Sequence, residues 1–237
     1  MTLCPCFPPL QCYVRGTLIR TARGDVAIEA LTIGDLLVTA SGERKPVRWI
    51  GHRKLDCSRY PEPSSAWPVC VVAGAFGERF PARDLWLSPE HCVAAEGVFI
   101  PIRYLVNGKT IVQRERASVE YWHVQLDARE VIFAEGLPAE SYGGANPAFF
   151  ANGGTVVDAY PDFRPGPAMR STLARVCAGA EIARTKQRLL ERLEASGYAV
   201  TTDPACTWSS TETGSSRSGS VRCDSLSRFQ PVAARCA

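Results

Sequence analysis

Leu10 to Thr39 reads LQCYVRGTLIRTARGDVAIEALTIGDLLVT. Within it, from Gly16 to Thr39, apolar and polar residues alternate, and the alternation breaks at Arg23-Gly24 and again at Gly34-Asp35, which is the punctuation of β hairpins rather than of helix. Cys12 stands at the threshold of this β region, behind a short Pro/Cys-rich leader. It is either one more small buried side chain or a nucleophile aimed at the peptide bond before it.

Working outward from that stretch, further β-type segments follow at Lys45 to Trp49, Trp67 to Val72, Leu85 to Ser88, Cys92 to Ala95, Val98 to Ile100, Thr110 to Gln113, Glu120 to Leu126 and Val131 to Ala134. Short strands at this spacing, with Gly and Pro between them, predict an all-β fold. Trp49, Trp67, Trp86 and Trp122 read as core aromatics, Cys57, Cys70 and Cys92 as packing residues, and Arg44 to Arg53 as a solvated edge. The pattern then changes twice. Gly143 to Pro167 carries GGANP, NGG and RPGP and reads as a linker. Ser171 to Ser196 is rich in Ala, Leu, Arg and Glu at helical spacing with Gly197 as a C-cap, so one helix is expected there. From Ala205 the chain is Ser/Thr/Gly-rich without period and reads as disordered.

Composition narrows the function. A net charge of +3 from 27 basic and 24 acidic residues, the basic ones dispersed, argues against a nucleic-acid partner. No run of apolar residues is long enough for a membrane span, and the leader lacks a basic n-region and an apolar h-region. The product is therefore expected in the cytoplasm as written, with secretion of a longer parent protein left open. Ten cysteines are scattered without paired C-x-x-C motifs, so no metal site is expected and most are read as free thiols. Nothing calls for a cofactor.

Attack by a thiol on the preceding amide converts a peptide into a thioester against the resonance of the amide. Such a step needs a nucleophile with thiolate character, a donor for the leaving nitrogen and hydrogen-bond donors for the oxyanion. Leu87-Ser88-Pro89-Glu90-His91-Cys92-Val93 places a hydroxyl three positions before an imidazole, with Ser88 able to steady the carbonyl and His91 to move the proton. His123, in Tyr121-Trp122-His123-Val124-Gln125-Leu126, is a second imidazole on an alternating strand.

From Cys12 to about Tyr142 the chain resembles a Hint domain, the self-processing module shared by Hedgehog proteins and inteins, in the bacterial subfamily found outside true inteins. CYVRGTLIRTARG with IEALTIGDLLVT resembles the opening block, Leu87 to Val93 the internal block with its hydroxyl-x-x-His, and YWHVQLDAREVIFAEG the closing block. The resemblance implies a β horseshoe with pseudo-twofold halves. It implies Cys12 as the N-to-S acyl-shift nucleophile and Ser88 and His91 as activators of the Gln11–Cys12 bond. His123 falls where many inteins carry an acidic residue, and is the fourth candidate catalytic residue. The expected organisation is a leader at 1–11, the Hint domain at 12–145, a linker at 146–170, a helical extension at 171–204 and a disordered tail at 205–237.

Inteins close with His-Asn, whose Asn cyclises; here the aligned positions are Glu140-Ser141, and neither side chain can do so. The reaction implied is a single-turnover cysteine autoprotease that cuts before Cys12 through a thioester, without splicing. Its substrate is the chain's own upstream segment, and its co-reactant is water, an external thiol or another nucleophile. The alternative is a degenerate Hint domain kept as a structural or interaction module or left as a gene remnant, which the short leader favours. Related bacterial Hint proteins continue after such a helix with Asp-Pro and a strand. Back-translated and shifted in frame, ACTWSSTETG becomes Leu-His-Leu-Val-Val-Asp-Gly-Asp, so the tail is expected to be frameshifted, which the coding DNA tests.

Overall fold

The computed structural model describes residues 11–143 and 171–196. The leader before Gln11, the linker at 146–170 and the tail, with the frameshift expectation, lie outside the described residues. The strands are β1 (Tyr13–Val14), β2 (Leu18–Thr21), β3 (Gly24–Ala27), β4 (Leu36–Val38), β5 (Arg44–Pro46), β6 (Trp49–Asp56), β7 (Val69–Val71), β8 (Leu85–Leu87), β9 (Cys92–Ala95), β10 (Val98–Pro101), β11 (Ile111–Gln113), β12 (Ser118–Gln125), β13 (Val131–Ala134) and β14 (Leu137–Glu140). One helix, α1 (Ala180–Ala195), follows. Among the described residues the all-β expectation with one C-terminal helix is met.

Two sheets hold the strands. The first runs β11-β7-β8-β1-β12-β6, and the second runs β10-β9-β14-β13-β2-β4-β5 with β3 paired to β2. Their inner faces share one core, in which Val69, Val71, Leu85, Leu87 and Val124 of the first sheet meet Ile19, Leu37, Ile132 and Ala134 of the second. Alternation places these apolar residues on one face of each strand.

Two hairpins of the second sheet turn on the same dipeptide. Glu96-Gly97 joins β9 to β10 and Glu135-Gly136 joins β13 to β14, with φ of 51° and 73° in the first and 48° and 82° in the second. Two consecutive left-handed residues match the twist of the flanking strands, and glycine takes the second position without steric cost. Glu135 also ties the sheet together: its carboxylate accepts the Leu18 N–H at 2.7 Å and two bonds from Arg83 at 2.6 and 2.9 Å.

Three readings need correction. The helix begins at Ala180 rather than near Ser171, because the preceding backbone is already engaged: Phe99 N–H donates to Ala174 at 2.8 Å, Val176 N–H to Phe99 at 2.9 Å and Thr172 N–H to Arg129 at 3.1 Å. Gly179, at φ 120°, redirects the chain into the helix. Ile182, Leu189 and Leu193 then form a helical stripe buried on the body of the domain.

Of the tryptophans offered as core, Trp49 is buried, whereas Trp67 and Trp122 pack half-buried against the margin of the core and Trp86 is half-buried on β8. Trp86 there meets the Arg116 guanidinium, 5.0 Å from its ring centroid, and Trp122 stacks on His52 at 4.5 Å. Finally, Arg44 to Arg53 includes β6, which is an edge strand as expected, but only one side is solvated: Val47, Trp49 and Gly51 are buried.

Candidate functional site

β1 is two residues long and lies between β8 and β12, pairing Tyr13 with Leu87 on one side and with Trp122 on the other. Antiparallel register carried one residue toward the N-terminus sets Cys12 beside Ser88 on one flank and His123 on the other. The hydrogen bonds agree. The Cys12 N–H donates to Ser88 Oγ at 2.8 Å, the Ser88 N–H donates to the Cys12 carbonyl at 2.9 Å, and Cys12 Sγ lies 2.8 Å from His123 Nε2. Ser88 Oγ therefore holds the amide nitrogen of the Gln11–Cys12 bond, where the sequence reading had it steady the carbonyl.

His91 arrives through the turn after β8, closed by its N–H on the Ser88 carbonyl at 3.0 Å and braced by Ile102 N–H donating to its own carbonyl at 2.8 Å. Its ring packs at 4.1 Å on Tyr13, the residue after the cysteine. All four sequence-predicted residues, Cys12, Ser88, His91 and His123, thus converge, and all four are buried.

Burial sets the protonation states. It pushes the Cys12 thiol well up, against smaller downward pulls from the Ser88 hydroxyl and the Arg53 charge. Both imidazoles go the other way, His91 and His123 each falling to about 3, chiefly because a buried cation is poorly solvated. The neighbouring Gln11 backbone partly opposes the shift on both rings. Near neutral pH the resting site holds a thiol and two neutral imidazoles, the thiol beside His123.

Several contributors were not legible as site residues. Gly51 pairs with His123 across β6 and β12, and a Cβ there would collide with the Trp49 indole. The indole lies over Gly51, 6.5 Å from the His123 ring, and Tyr142 meets that ring edge-on at 4.8 Å. Glu140 and Ser141 are both committed to structure. Glu140 accepts the Cys92 N–H at 2.7 Å, its backbone carbonyl accepts Tyr13 OH at 2.8 Å, and Ser141 Oγ accepts the Glu130 N–H at 2.8 Å. Among the described residues no group of three or more His, Cys, Asp or Glu side chains is arranged to hold a metal.

The pattern of the Hint domain matches residues 11–146, more than half of the chain. This chain belongs to the Hint family. The Hint domain described above is similar in fold to a bacterial intein-like domain from Clostridium thermocellum, at 16% identity and a TM-score of 0.40 over 56% of this chain and 99% of that one. It is also similar to a DnaB intein from Synechocystis, at 11% identity and a TM-score of 0.39 over 55% and 99%. The MchDnaB-1 intein gives 15% identity and a TM-score of 0.40 over 55% and 99%. No curated protein matches. Hint domains act on their own chain. No described helix of this Hint protein is long and apolar enough to cross a membrane.

Proposed function

We propose that this Hint domain cleaves the Gln11–Cys12 bond by an N-to-S acyl shift and hands the resulting thioester to an external nucleophile, without splicing. The supporting observation is that one residue, Cys12, has its sulfur 2.8 Å from an imidazole nitrogen and its amide nitrogen 2.8 Å from a hydroxyl. Attacking atom and leaving atom each have a proton-handling neighbour.

In this reading Cys12 Sγ attacks the Gln11 carbonyl carbon while its proton passes to His123 Nε2. His91 and the transient His123 imidazolium stand beside the carbonyl oxygen as negative charge develops on it. As the C–N bond breaks, His123 returns the proton to the departing nitrogen, which Ser88 Oγ holds in place. The products are a thioester on Cys12 Sγ and a free amine at Cys12. A thiol or water then takes the acyl group and restores the cysteine. No thiolate exists beforehand, so proton transfer and attack are coupled. Ser141 and Glu140, engaged in hydrogen bonds and unable to cyclise, leave the downstream junction intact.

The test is a reporter protein fused upstream of Gln11, followed by mass with and without dithiothreitol or hydroxylamine. Cleavage between Gln11 and Cys12, faster with either nucleophile and abolished by Cys12→Ala, supports the proposal. An intact fusion under all conditions leaves the domain as a retained structural module, and an alanine variant cut at the same rate rules out the thioester.

A further inference from the structure

The side chain of Gln11 precedes the bond that the proposed reaction cuts, and it is not in solvent: the residue is 9% exposed. Its Oε1 accepts from Arg129 at 3.5 Å. Arg129 comes from the turn before β13, and three features fix its place. Its backbone carbonyl accepts both the N–H and the Oγ1–H of Thr172, at 3.1 and 3.2 Å. Its guanidinium lies across Gly143, where a Cβ would meet Nε and the terminal nitrogen and oblige the guanidinium to move. Its Nε faces Glu140 Oε2 at 3.6 Å, and Glu140 is fully buried.

A cation held this way has a defined appetite. Neither Arg129 Nε nor Glu140 Oε2 completes a hydrogen bond among the described residues, so the pair meets as charges and leaves the outer nitrogen of the fork to the residue at position 11. A neutral carbonyl oxygen satisfies that nitrogen. A carboxylate would bring a second anion to a guanidinium already facing Glu140, an ammonium would meet a like charge, and an apolar side chain would leave a buried donor unmatched.

Resting on the cleavage reading above, we infer that Arg129, backed by Glu140 and Gly143, is the subsite for the residue preceding the scissile bond and selects an upstream segment ending in a neutral amide side chain. Arg129 is a positioning residue. It holds the acyl half of the bond while β1 holds the amine half, so the Gln11 carbonyl is pinned from both sides beside His91 and His123.

Two measurements on the full chain separate this inference from the reading beneath it. In upstream fusions, Gln11→Ala lowers the thiol-induced cleavage rate about tenfold and Gln11→Lys lowers it more, the loss expected for a hydrogen bond to a charged group. Arg129→Lys keeps a cation beside Glu140 but not the forked reach, so it narrows the Gln-to-Ala rate ratio to within about twofold. Equal rates for Gln, Ala and Lys at position 11, or a ratio unchanged by Arg129→Lys, would overturn the subsite.

The second measurement needs no cleavage. In a Cys12→Ala background the unfolding midpoints of Gln11→Ala, Arg129→Lys and the double variant form a cycle. Non-additive shifts support the subsite even if no fusion is ever cut, in which case only the processing reading falls; additive shifts overturn the subsite whatever the fusions do.

Discussion

Cys12 Sγ and His123 Nε2 stand 2.8 Å apart on neighbouring strands although 111 positions separate them in the chain. Both side chains are buried, and burial discourages charge on each of them, so what joins them at rest is a shared proton between neutral groups rather than an ion pair. His123→Ala removes the acceptor. The expected outcome is a fall of roughly 10²-fold or more in the first-order rate of fusion cleavage, the usual contribution of a positioned base, read as product mass against time in dithiothreitol.

Ser88→Ala strikes the other half of the bond. The Cys12 N–H loses its acceptor in a site from which water is excluded, so the variant is expected to lose about 1–3 kcal/mol of stability and to cleave more slowly. Urea unfolding of a Cys12→Ala protein with and without the second change isolates the stability loss. An unchanged midpoint would mean that the amide finds another partner.

Acid should loosen the fold through the two imidazoles. Each has a folded pKa of about 3 against an ordinary value near 6.5, so the unfolded chain binds protons that the folded chain refuses. Stability from this source is whole above pH 6.5 and is lost as pH falls toward 3, by about 1.4 kcal/mol per unit for each ring. Glu140 opposes it, because its raised pKa favours the folded state as that carboxyl protonates. Unfolding midpoints between pH 7 and 4.5 should fall steeply, and His91→Gln should flatten the slope.

Gly51 admits no side chain. Gly51→Ala would drive a methyl into the Trp49 indole, and a cost of about 1–3 kcal/mol is expected from overpacking together with slower cleavage, since the displaced ring neighbours His123. Trp49→Leu in the same chain should relieve part of that cost, giving a double variant milder than the sum of the singles. Thermal midpoints of the three variants measure it.

No product of splicing and none of cleavage after Ser141 should form. A ligated or C-terminally released species in intact-mass spectra of a doubly fused chain would contradict the structural commitment of Glu140 and Ser141.

The four candidate site residues were legible because each sits in a short local motif with chemical meaning. What the sequence concealed was set by cross-strand register. Gly51 matters because β6 pairs it with His123, and Arg129 because Gly143 and Glu140 come back to it, none of which is encoded within a few residues. The strands missed or only partly read have related causes. β1 is only two residues long, β14 contains Pro138 and Glu140, and the charged stretch of β6 masks an alternation in which Trp49, Gly51 and Leu55 point inward. Arg175, which reads as part of a helix, instead extends beside Phe99 because a backbone ladder competes with local helix propensity.

The two residues of β1 acquire their neighbours late. Ser88 lies 76 positions and His123 111 positions beyond Cys12, so a ribosome making this chain exposes the cysteine long before it makes either partner. At roughly 5–20 residues per second the delay is on the order of ten seconds, and through it the thiol is an ordinary one at the end of an unpaired segment. The fold therefore acts as a clock. Under the proposed cleavage, whatever is joined upstream has that interval to fold before the bond is cut, and nascent chains arrested before His123 emerges should carry their upstream partner intact while those arrested well after Tyr142 should not.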